Sequence, residues 1–296
     1  MKNKSFSPLD KLRLKVGGVP EHFNLPWRLA IEEGLFSAEN LALHWSDMSG
    51  GTGQMIKGLE SGSLDVAVVL TEGITKAILQ GLEATILRVY VASPLCWGIH
   101  VPYHSSIKSI SDLQGRPFAI SREASGSHLM AYVLGSENGW DLRKMKFEVV
   151  GDIYGGLWAL ENDEAQAFLW EKYTTNPYVE QKKCRRIGEI MTPWSSFVIA
   201  ARNEVVQNAL PALNKMCDLV MNRAKLLKNN QRSPEIISWR YNIDLYQVKQ
   251  WLNQTEWADV AKKRPKDHHK NVVSYLLDLE LINQSEAKDW KEKLFI

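Results

Sequence analysis

Short apolar runs that fit β-strands alternate with helix-like segments over the first two hundred residues. Residues 12–16 alternate apolar and polar side chains, as in a strand with one exposed face. Residues 64–70 are almost continuously apolar, which is typical of a strand covered on both faces. Further strands are predicted at residues 41–47, 97–101, 117–120, 146–150, 167–170 and 197–201. This alternation predicts an α/β fold with mixed, mainly parallel sheets.

An internal echo of the pattern supports two similar lobes. Residues 59–68 and residues 160–169 each end a helix, turn and enter a strand, although a generic helix–turn–strand unit has the same appearance. We predict that lobe I comprises residues 1–92 and 195–296, and that lobe II comprises residues 93–194.

Two segments connect the predicted lobes. The chain crosses at Ser93-Pro94 and returns at Thr192-Pro193-Trp194, which puts a ligand crevice between the lobes. After Ala201 the pattern is helical, with helix starts at Pro211 and Ser233. These C-terminal helices are expected to cover a core; a docking surface for a partner is the alternative.

Two turns rich in glycine and serine each follow a predicted strand and open a predicted helix. They are residues 49–53 and residues 121–127. The start of a helix leaves backbone N–H groups without partners and carries a partial positive charge, so it favours an anion. Glycine lets a ligand approach the backbone closely. Two such turns at matching points predict a cleft that is lined from both sides.

The candidate ligand-binding residues follow from the rule that ligands bind beyond the carboxyl ends of the strands in open α/β sheets. They are His22, Phe23, Asn24, Gly50, Gly51, Thr52, Glu72, Ser93, Ser121, Ser125, Gly126, Ser127, His128, Trp170, Glu171 and Trp194.

Glu72 and Glu171 each directly follow the strand that belongs to the internal echo. Carboxylates at the crevice favour a ligand with amine, amidine or ring N–H groups, whereas the helix starts favour an anionic group. A zwitterionic or aminopyrimidine-like ligand satisfies both. Alternatively, each glutamate caps its neighbouring helix or pairs with Lys76 or Lys172.

Catalytic and metal-binding patterns are weak in this chain. His22 and His128 could serve as general bases, but a lone histidine is more often a packing residue. His100 and His104 are separated by Pro102, so the helical spacing of a metal-binding pair is absent. We therefore predict no catalytic residue, no metal and no cofactor.

The composition limits the classes of partner and the compartments that we expect for this protein. The 296 residues carry a formal charge of +2, which favours neither nucleic acid nor a membrane surface. No run of apolar residues is long enough for a membrane span, and the three cysteines show no pairing pattern. No signal peptide is visible, so the protein is expected in the periplasm if a signal was removed and in the cytoplasm otherwise. We expect a monomer.

At several of these positions the chain resembles the type II periplasmic-binding-protein superfamily, in particular the nitrate-, sulfonate- and taurine-type substrate-binding proteins of ABC transporters and their thiamine-pyrimidine-related branch. The resembling stretches, which together span about residues 12–200, are His22–Pro26, Gly50–Gly53, Gly62–Gly73, Asp112–Gly115 and Phe168–Glu171. The resemblance implies two α/β lobes that are joined by a two-stranded hinge and close on a small ligand for uptake through an ABC permease. It also implies that Gly51, Thr52, Ser125 and Gly126 hold the anionic group.

The chain departs from the family's enzymes that build the thiamine pyrimidine. Those relatives carry a lysine that binds pyridoxal phosphate after the third strand, where this chain has Thr71-Glu72, and a cluster of cysteines that is absent here. The favoured function is therefore a solute-binding protein for a sulfonate, taurine, nitrate or pyrimidine. The alternatives are a cytoplasmic enzyme of the same fold acting on a pyrimidine or a menaquinone precursor, and a ligand-sensing module for a partner protein.

Overall fold

The computed structural model describes residues 11–123, 125–258 and 265–295. Its strands are β1 (Leu12–Gly18), β2 (Leu41–Asp47), β3 (Val66–Leu70), β4 (Ala84–Val91), β5 (Cys96–Pro102), β6 (Pro117–Ile120), β7 (Lys146–Val149), β8 (Ala167–Glu171), β9 (Cys184–Met191) and β10 (Phe197–Arg202). Its α-helices are α1 (Leu25–Glu32), α2 (Gly51–Ser61), α3 (Thr71–Leu79), α4 (Gly126–Glu137), α5 (Ile153–Glu161), α6 (Lys172–Glu180), α7 (Asn203–Asn229), α8 (Ser233–Tyr241), α9 (Leu245–Gln254), α10 (Pro265–Asp278), α11 (Gln284–Ala287) and α12 (Trp290–Leu294). Residues 1–10, 259–264 and 296 of the predicted lobe I, and Ala124 of the second turn, lie outside the described residues.

The strands form two five-stranded sheets. The first sheet has the order β2-β1-β3-β10-β4, and the second has the order β7-β6-β8-β5-β9. In each sheet one strand lies parallel to two neighbours, namely β1 and β6, and one lies antiparallel to two neighbours, namely β10 and β5. The α/β class with two mixed sheets is thus confirmed. The antiparallel pairings arise because β5 and β10 each follow a crossing from the other sheet.

Burial explains why the central strand of the first sheet reads as continuously apolar. Val66, Ala67, Val68 and Val69 of β3 are all buried, because the strand lies between β1 and β10 and is covered on both faces. The helix before it, α2, ends at Gly62, where a φ of 73° favours glycine. The chain therefore turns sharply from α2 into β3, whose end faces the second sheet.

Two connecting segments, residues 92–95 and residues 192–196, run side by side between the sheets. The Thr192 N–H donates to the Leu95 carbonyl at 3.0 Å, and the Leu95 N–H donates to the Thr192 Oγ1 at 2.9 Å. The Ser196 N–H donates to the Ser93 carbonyl at 3.1 Å. We call these two segments the crossover pair.

The C-terminal helices pack mainly around the first sheet. Val272 and Leu276 of α10 and Leu294 of α12 are buried in the same core as β3 and β4. Helix α7 is kinked at Ala209, and Pro211 lies within it as the start of its longer part. The helical pattern after Ala201 is confirmed, and the apolar stripes of these helices serve as core.

The segment after α9 contacts the end of β4 and the first connecting segment of the crossover pair. Trp257 bridges Val91, and the Glu256 carbonyl accepts the Ala92 N–H at 2.7 Å. Helix α9 also reaches the second sheet's helices: the Tyr173 hydroxyl donates to Gln254 Oε1 at 2.9 Å, and Gln247 Nε2 donates to Glu180 Oε1 at 3.1 Å. We call residues 245–258 the tether.

The structure also describes the helices and cysteines that the composition brought into question. Among the described residues, no helix combines the length and apolar character that crossing a membrane requires. The three cysteines are free thiols and are buried. Burial raises the pKa of each thiol, to about 12 for Cys96 and to about 11 for Cys184.

Candidate functional site

A cavity of about 80 Å³ lies between the two sheets. From the first sheet's side it is lined by Val19, Glu21, Ser49, Gly50, Gly51, Thr52, Met55, Leu70 and Phe197. From the second sheet's side and the crossover pair it is lined by Leu95, Trp97, Ser121, Arg122, Ser125, Gly126, Ser127, Gly151, Trp170 and Glu171. The volume exceeds the ~10–15 Å³ that one water needs and is well below the ~300–1,000 Å³ of sites for drug-sized ligands. It therefore suits a group of a few heavy atoms.

The start of α2 forms one wall of the cavity. Gly51 has a φ of 66°, and a Cβ at this position meets no atom within 4 Å. The Thr52 Oγ1 accepts the Leu70 N–H at 3.2 Å, which fixes the helix start to the end of β3. The partial positive charge of the helix start favours an anion at this wall.

The start of α4 forms the opposite wall, and it is built from buried serines. The Ser125 Oγ caps the helix by accepting the His128 N–H at 3.3 Å. The Ser127 Oγ accepts the Ser121 N–H at 2.9 Å and lies 3.0 Å from the Ser125 Oγ. Since hydroxyls both donate and accept, this cluster presents adaptable hydrogen-bonding groups next to a second helix start.

Glycines allow the two walls to come close together. A Cβ at Gly126 would lie 2.9 Å from Leu70 Cδ1, an atom of the first sheet. A Cβ at Gly53 would lie 2.2 Å from the Cζ of Arg122, which comes from the second sheet's side. The side chains of Leu70 and Arg122 thus reach across the cleft, and larger residues at Gly126 or Gly53 would displace them.

Arg122 places a positive charge in the wall. Its side chain is partly buried, burial lowers the pKa of its guanidinium, and it forms no ion pair among the residues that the structure describes. An arginine stays protonated under such conditions and offers several N–H donors in a planar array. The guanidinium is therefore available to an anionic ligand.

Trp97 and Glu171 bring unpaired polar atoms to the second sheet's wall. Trp97 is 4% exposed and its Nε1 has no partner among the described residues, and the same is true of Oε1 of Glu171, which is 5% exposed. The other oxygen, Oε2 of Glu171, accepts the Thr174 N–H at 2.7 Å and the Thr174 hydroxyl at 2.8 Å. Buried polar atoms without partners carry a free-energy cost unless a ligand or water satisfies them.

Two carboxyls of the cavity have raised pKa values. Burial raises the pKa of Glu171 to about 7, against the opposing effect of its hydrogen bonds to Thr174. Burial, and then the charge of Glu171, raise the pKa of Glu21 to about 8. Because Glu21 lies in the loop after β1, the two carboxyls face one cavity from different sheets.

Nine of the sixteen sequence-predicted site residues line the cavity: Gly50, Gly51, Thr52, Ser121, Ser125, Gly126, Ser127, Trp170 and Glu171. The other seven do not belong to its wall: His22, Phe23, Asn24, Glu72, Ser93, His128 and Trp194.

The seven residues outside the wall have other surroundings. His22 stacks on Phe23 and lies edge-on to Trp251, so both rings are part of the packing beneath α9. Burial lowers the pKa of His22 to about 3, which leaves the imidazole neutral. Asn24 donates from Nδ2 to the Val19 carbonyl at 2.8 Å, which holds the loop after β1.

The other four residues make hydrogen bonds or ring contacts elsewhere in the fold. Glu72 Oε2 accepts the Trp194 Nε1–H at 2.8 Å. Ser93 belongs to the crossover pair, and His128 lies on α4 with its ring 4.3 Å from that of Phe147. These contacts join elements of the fold outside the cavity wall.

Glu21, Trp97 and Arg122 are cavity residues that the candidate set omits. Glu21 lies in the loop after β1 and Arg122 in the loop after β6, which are the positions that the strand-end rule selects, so that signal was present in the sequence. Trp97 lies within β5, where alternation gives no direction for a side chain because the strand is buried throughout. Among the described residues, no group of histidine, cysteine, aspartate and glutamate could hold a metal ion.

Comparison with known proteins agrees with this architecture. Residues 97–190 match a family model described as Ca3427-like periplasmic binding proteins. The structure of the Candida albicans CA3427 gene product, which defines a family with the generic periplasmic-binding-protein fold, is 26% identical, with a TM-score of 0.85 and 95% of each chain covered. No curated protein matches the sequence.

Two bacterial binding proteins are similar in structure at lower identity. The alkanesulfonate-binding protein SsuA from Xanthomonas axonopodis pv. citri, bound to MOPS, is 14% identical, with a TM-score of 0.75 over 93% of this chain and 96% of that one. The periplasmic nitrate-binding protein NrtA from Synechocystis PCC 6803 is 13% identical, with a TM-score of 0.69 over 97% and 89%. The chain therefore has the type II periplasmic-binding-protein fold, with sulfonate- and nitrate-binding proteins among its structural relatives.

Proposed function

We propose that this protein is a solute-binding protein, which captures a small anionic or zwitterionic organic molecule by closing its two lobes. The observation that carries this proposal is the cavity between the sheets, into which two helix starts face from opposite walls. Helix starts attract negative charge, and here they are accompanied by the Arg122 guanidinium. We further propose delivery of the ligand to an ABC permease, with the periplasm as the compartment.

Opening and closing about the crossover pair would admit and retain the ligand. The contacts of Gly126 with Leu70 and of Gly53 with Arg122 form only when the walls approach. A ligand that bridges the walls favours the closed arrangement by the free energy of those added contacts. The proposed ligand contacts are the nine predicted wall residues together with Glu21, Trp97 and Arg122.

Ligand binding can be measured by the rise in melting temperature. Nitrate, methanesulfonate, ethanesulfonate, taurine and an aminopyrimidine would be tested on protein that was unfolded and refolded to remove bound molecules. A ligand at 100 times its dissociation constant stabilises the folded protein by about 2.7 kcal/mol, and at least one compound is expected to do so. No stabilisation by any compound would contradict the proposal. Recovery of the bound compound unchanged, by mass spectrometry, would separate binding from the enzyme alternative.

Gly53→Ala tests whether the cavity is the binding site. The new Cβ overlaps the Arg122 guanidinium and displaces it, whereas alanine within a helix stabilises the fold by roughly 0.5–1 kcal/mol. We therefore expect a melting temperature that is unchanged or higher without ligand, and a ligand-induced rise that is smaller. Lys57→Ala, at an exposed position of the same helix, is the control that should leave both values unchanged.

A further inference from the structure

Glu21 and Glu171 line the same cavity, and the structure shows no cationic side chain between them among the residues that it describes. One belongs to the loop after β1 and the other ends β8, so each carboxyl comes from a different sheet. Neither forms an ion pair with a residue that the structure describes, in contrast to Glu189, which pairs with Lys172 at 2.9 Å. The site thus brings together two groups that repel each other once both are ionised.

The nearby cations have other partners. The Arg186 guanidinium donates to the Lys172 carbonyl at 3.0 Å and to the Asn176 Oδ1 at 2.7 Å. Arg122 lies against Gly53 and forms no ion pair with either carboxyl. The positive charge of Arg186 lowers the pKa of Glu171 by less than burial raises it, and neither carboxyl forms an ion pair with a side chain that the structure describes.

One carboxyl oxygen of Glu171 is buried without a hydrogen-bond partner among the described residues, so it could accept a hydrogen bond from a ligand. Glu171 lines the cavity; its Oε2 is occupied by Thr174, whereas its Oε1 is buried and has no hydrogen-bond partner among the described residues. The raised pKa values of both carboxyls have the same main cause, since burial disfavours the charged forms and the charge of Arg186 offsets this only in part at Glu171. Trp97 Nε1 and Arg122 offer donors in the same cavity, which suit an anionic group.

We propose, as a refinement that rests on the proposed function, that the ligand is a zwitterion whose positively charged nitrogen binds between Glu21 and Glu171 while its anionic group binds Trp97 Nε1 and Arg122. The ammonium or protonated ring nitrogen compensates both carboxylates and so joins the two lobes. A ligand with only negative charge leaves the carboxylates uncompensated and is disfavoured. The specificity of this site then differs from that of nitrate or a simple alkanesulfonate.

Matched pairs of compounds test the role of the nitrogen. Taurine would be compared with isethionate, 2-aminoethylphosphonate with 2-hydroxyethylphosphonate, and β-alanine with 3-hydroxypropanoate, by calorimetry at pH 8. Within a pair only an ammonium is exchanged for a hydroxyl. We expect the amine of the tightest pair to bind at least tenfold more tightly than its hydroxyl partner.

Two variants test whether the carboxyls of Glu21 and Glu171 cause the preference for the amine compound. Glu21→Gln and Glu171→Gln should each reduce the preference for the amine to less than threefold, and Glu21→Gln tests this without touching the cap of α6. Glu148→Gln removes the same charge at an exposed position of β7 and should retain the full preference.

Three results would overturn parts of the proposal in distinguishable ways. Equal binding of amine and hydroxyl compounds, or a preference that survives in both variants, would overturn the zwitterion assignment alone. Equal stabilisation by Mg²⁺ or Ca²⁺ without any organic compound would assign the carboxyls to a metal ion. If none of the six compounds binds and no compound of the wider panel stabilises the protein, the proposed function itself is overturned.

Discussion

Glu72 lies in the first turn of α3 and is 2% exposed, and its carboxyl accepts a hydrogen bond from the Trp194 indole. Burial raises its pKa from 4.5 to about 7, and hydrogen bonds from its own backbone N–H and from the Trp194 indole only partly oppose this rise. The folded protein therefore binds a proton at Glu72 more tightly than the unfolded chain does. Stability from this group is present below pH 4.5 and is lost as the pH rises through about 7.

Glu72→Gln should make the unfolding free energy less sensitive to pH. Glutamine has nearly the same shape, keeps an acceptor for the Trp194 indole and cannot ionise. Relative to the wild type, the variant should gain about 2–3 kcal/mol more at pH 8 than at pH 5, measured by urea denaturation without ligand. Glu148→Gln is the exposed control, and a Glu72→Gln profile parallel to the wild type would contradict this account.

Single positions show what the sequence can and cannot predict about the site. The glycines and serines of the two helix starts were identified because turn composition and strand ends both select them. In the sequence pattern Glu72 and Glu171 have matching positions, but Glu171 ends β8, whereas Glu72 lies in the first turn of α3 and its carboxyl accepts the Trp194 indole N–H, outside the cavity wall. The direction of a side chain at a helix start depends on the packing of a distant segment, which local pattern does not contain.

At the scale of elements, one buried hydroxyl adds to the backbone hydrogen bonds of the crossover pair. Thr192 is 1% exposed; its Oγ1 accepts the Leu95 N–H at 2.9 Å and donates to the Trp194 carbonyl at 2.8 Å. It therefore links both connecting segments where the chain passes between the sheets.

Thr192→Val keeps the shape of this side chain and removes its hydrogen bonds. The buried Leu95 N–H then lacks this partner, and we expect a loss of about 1–3 kcal/mol of unfolding free energy in chemical denaturation. Thr192→Ser retains the hydroxyl and should lose clearly less. Equal stability of the valine variant and the wild type would show that the hydroxyl is dispensable.

Most strands were predictable because their apolar runs are flanked by turns, but β4 and β9 were not. In β9, exposed and half-buried positions follow one another, since it is the edge strand of the second sheet. In β4, the polar residues Thr85 and Arg88 interrupt the apolar pattern. Both strands precede a segment that runs from one sheet to the other.

At the scale of the whole molecule, the tether links both lobes besides the crossover pair. Its Trp257 bridges Val91 beside the first connecting segment, and its Gln254 accepts the Tyr173 hydroxyl from α6. The sequence predicted C-terminal helices, but their contact with the second lobe depends on tertiary packing that helical periodicity alone does not specify.

Tyr173→Phe should loosen the closed arrangement. It removes one hydrogen bond between α6 and the tether, which contributes about 0.5–1.5 kcal/mol, so the ratio of closed to open molecules should fall by about 2- to 10-fold. Small-angle X-ray scattering of the unliganded protein should then give a larger radius of gyration. Tyr246→Phe, at an exposed tyrosine of α9, is the matched control. Identical scattering from Tyr173→Phe and the wild type would show that the tether does not restrain opening.

The place of β10 between β3 and β4 has a consequence for synthesis on the ribosome. The second sheet is built from one continuous stretch, Cys96–Met191, and its pairings are complete as soon as that stretch has emerged. The first sheet lacks β10 until Arg202 has been translated. The edges of β3 and β4 that pair with β10 therefore stay unpaired while more than a hundred further codons are read. The nascent chain is therefore most prone to aggregation, and most in need of a chaperone, during that interval.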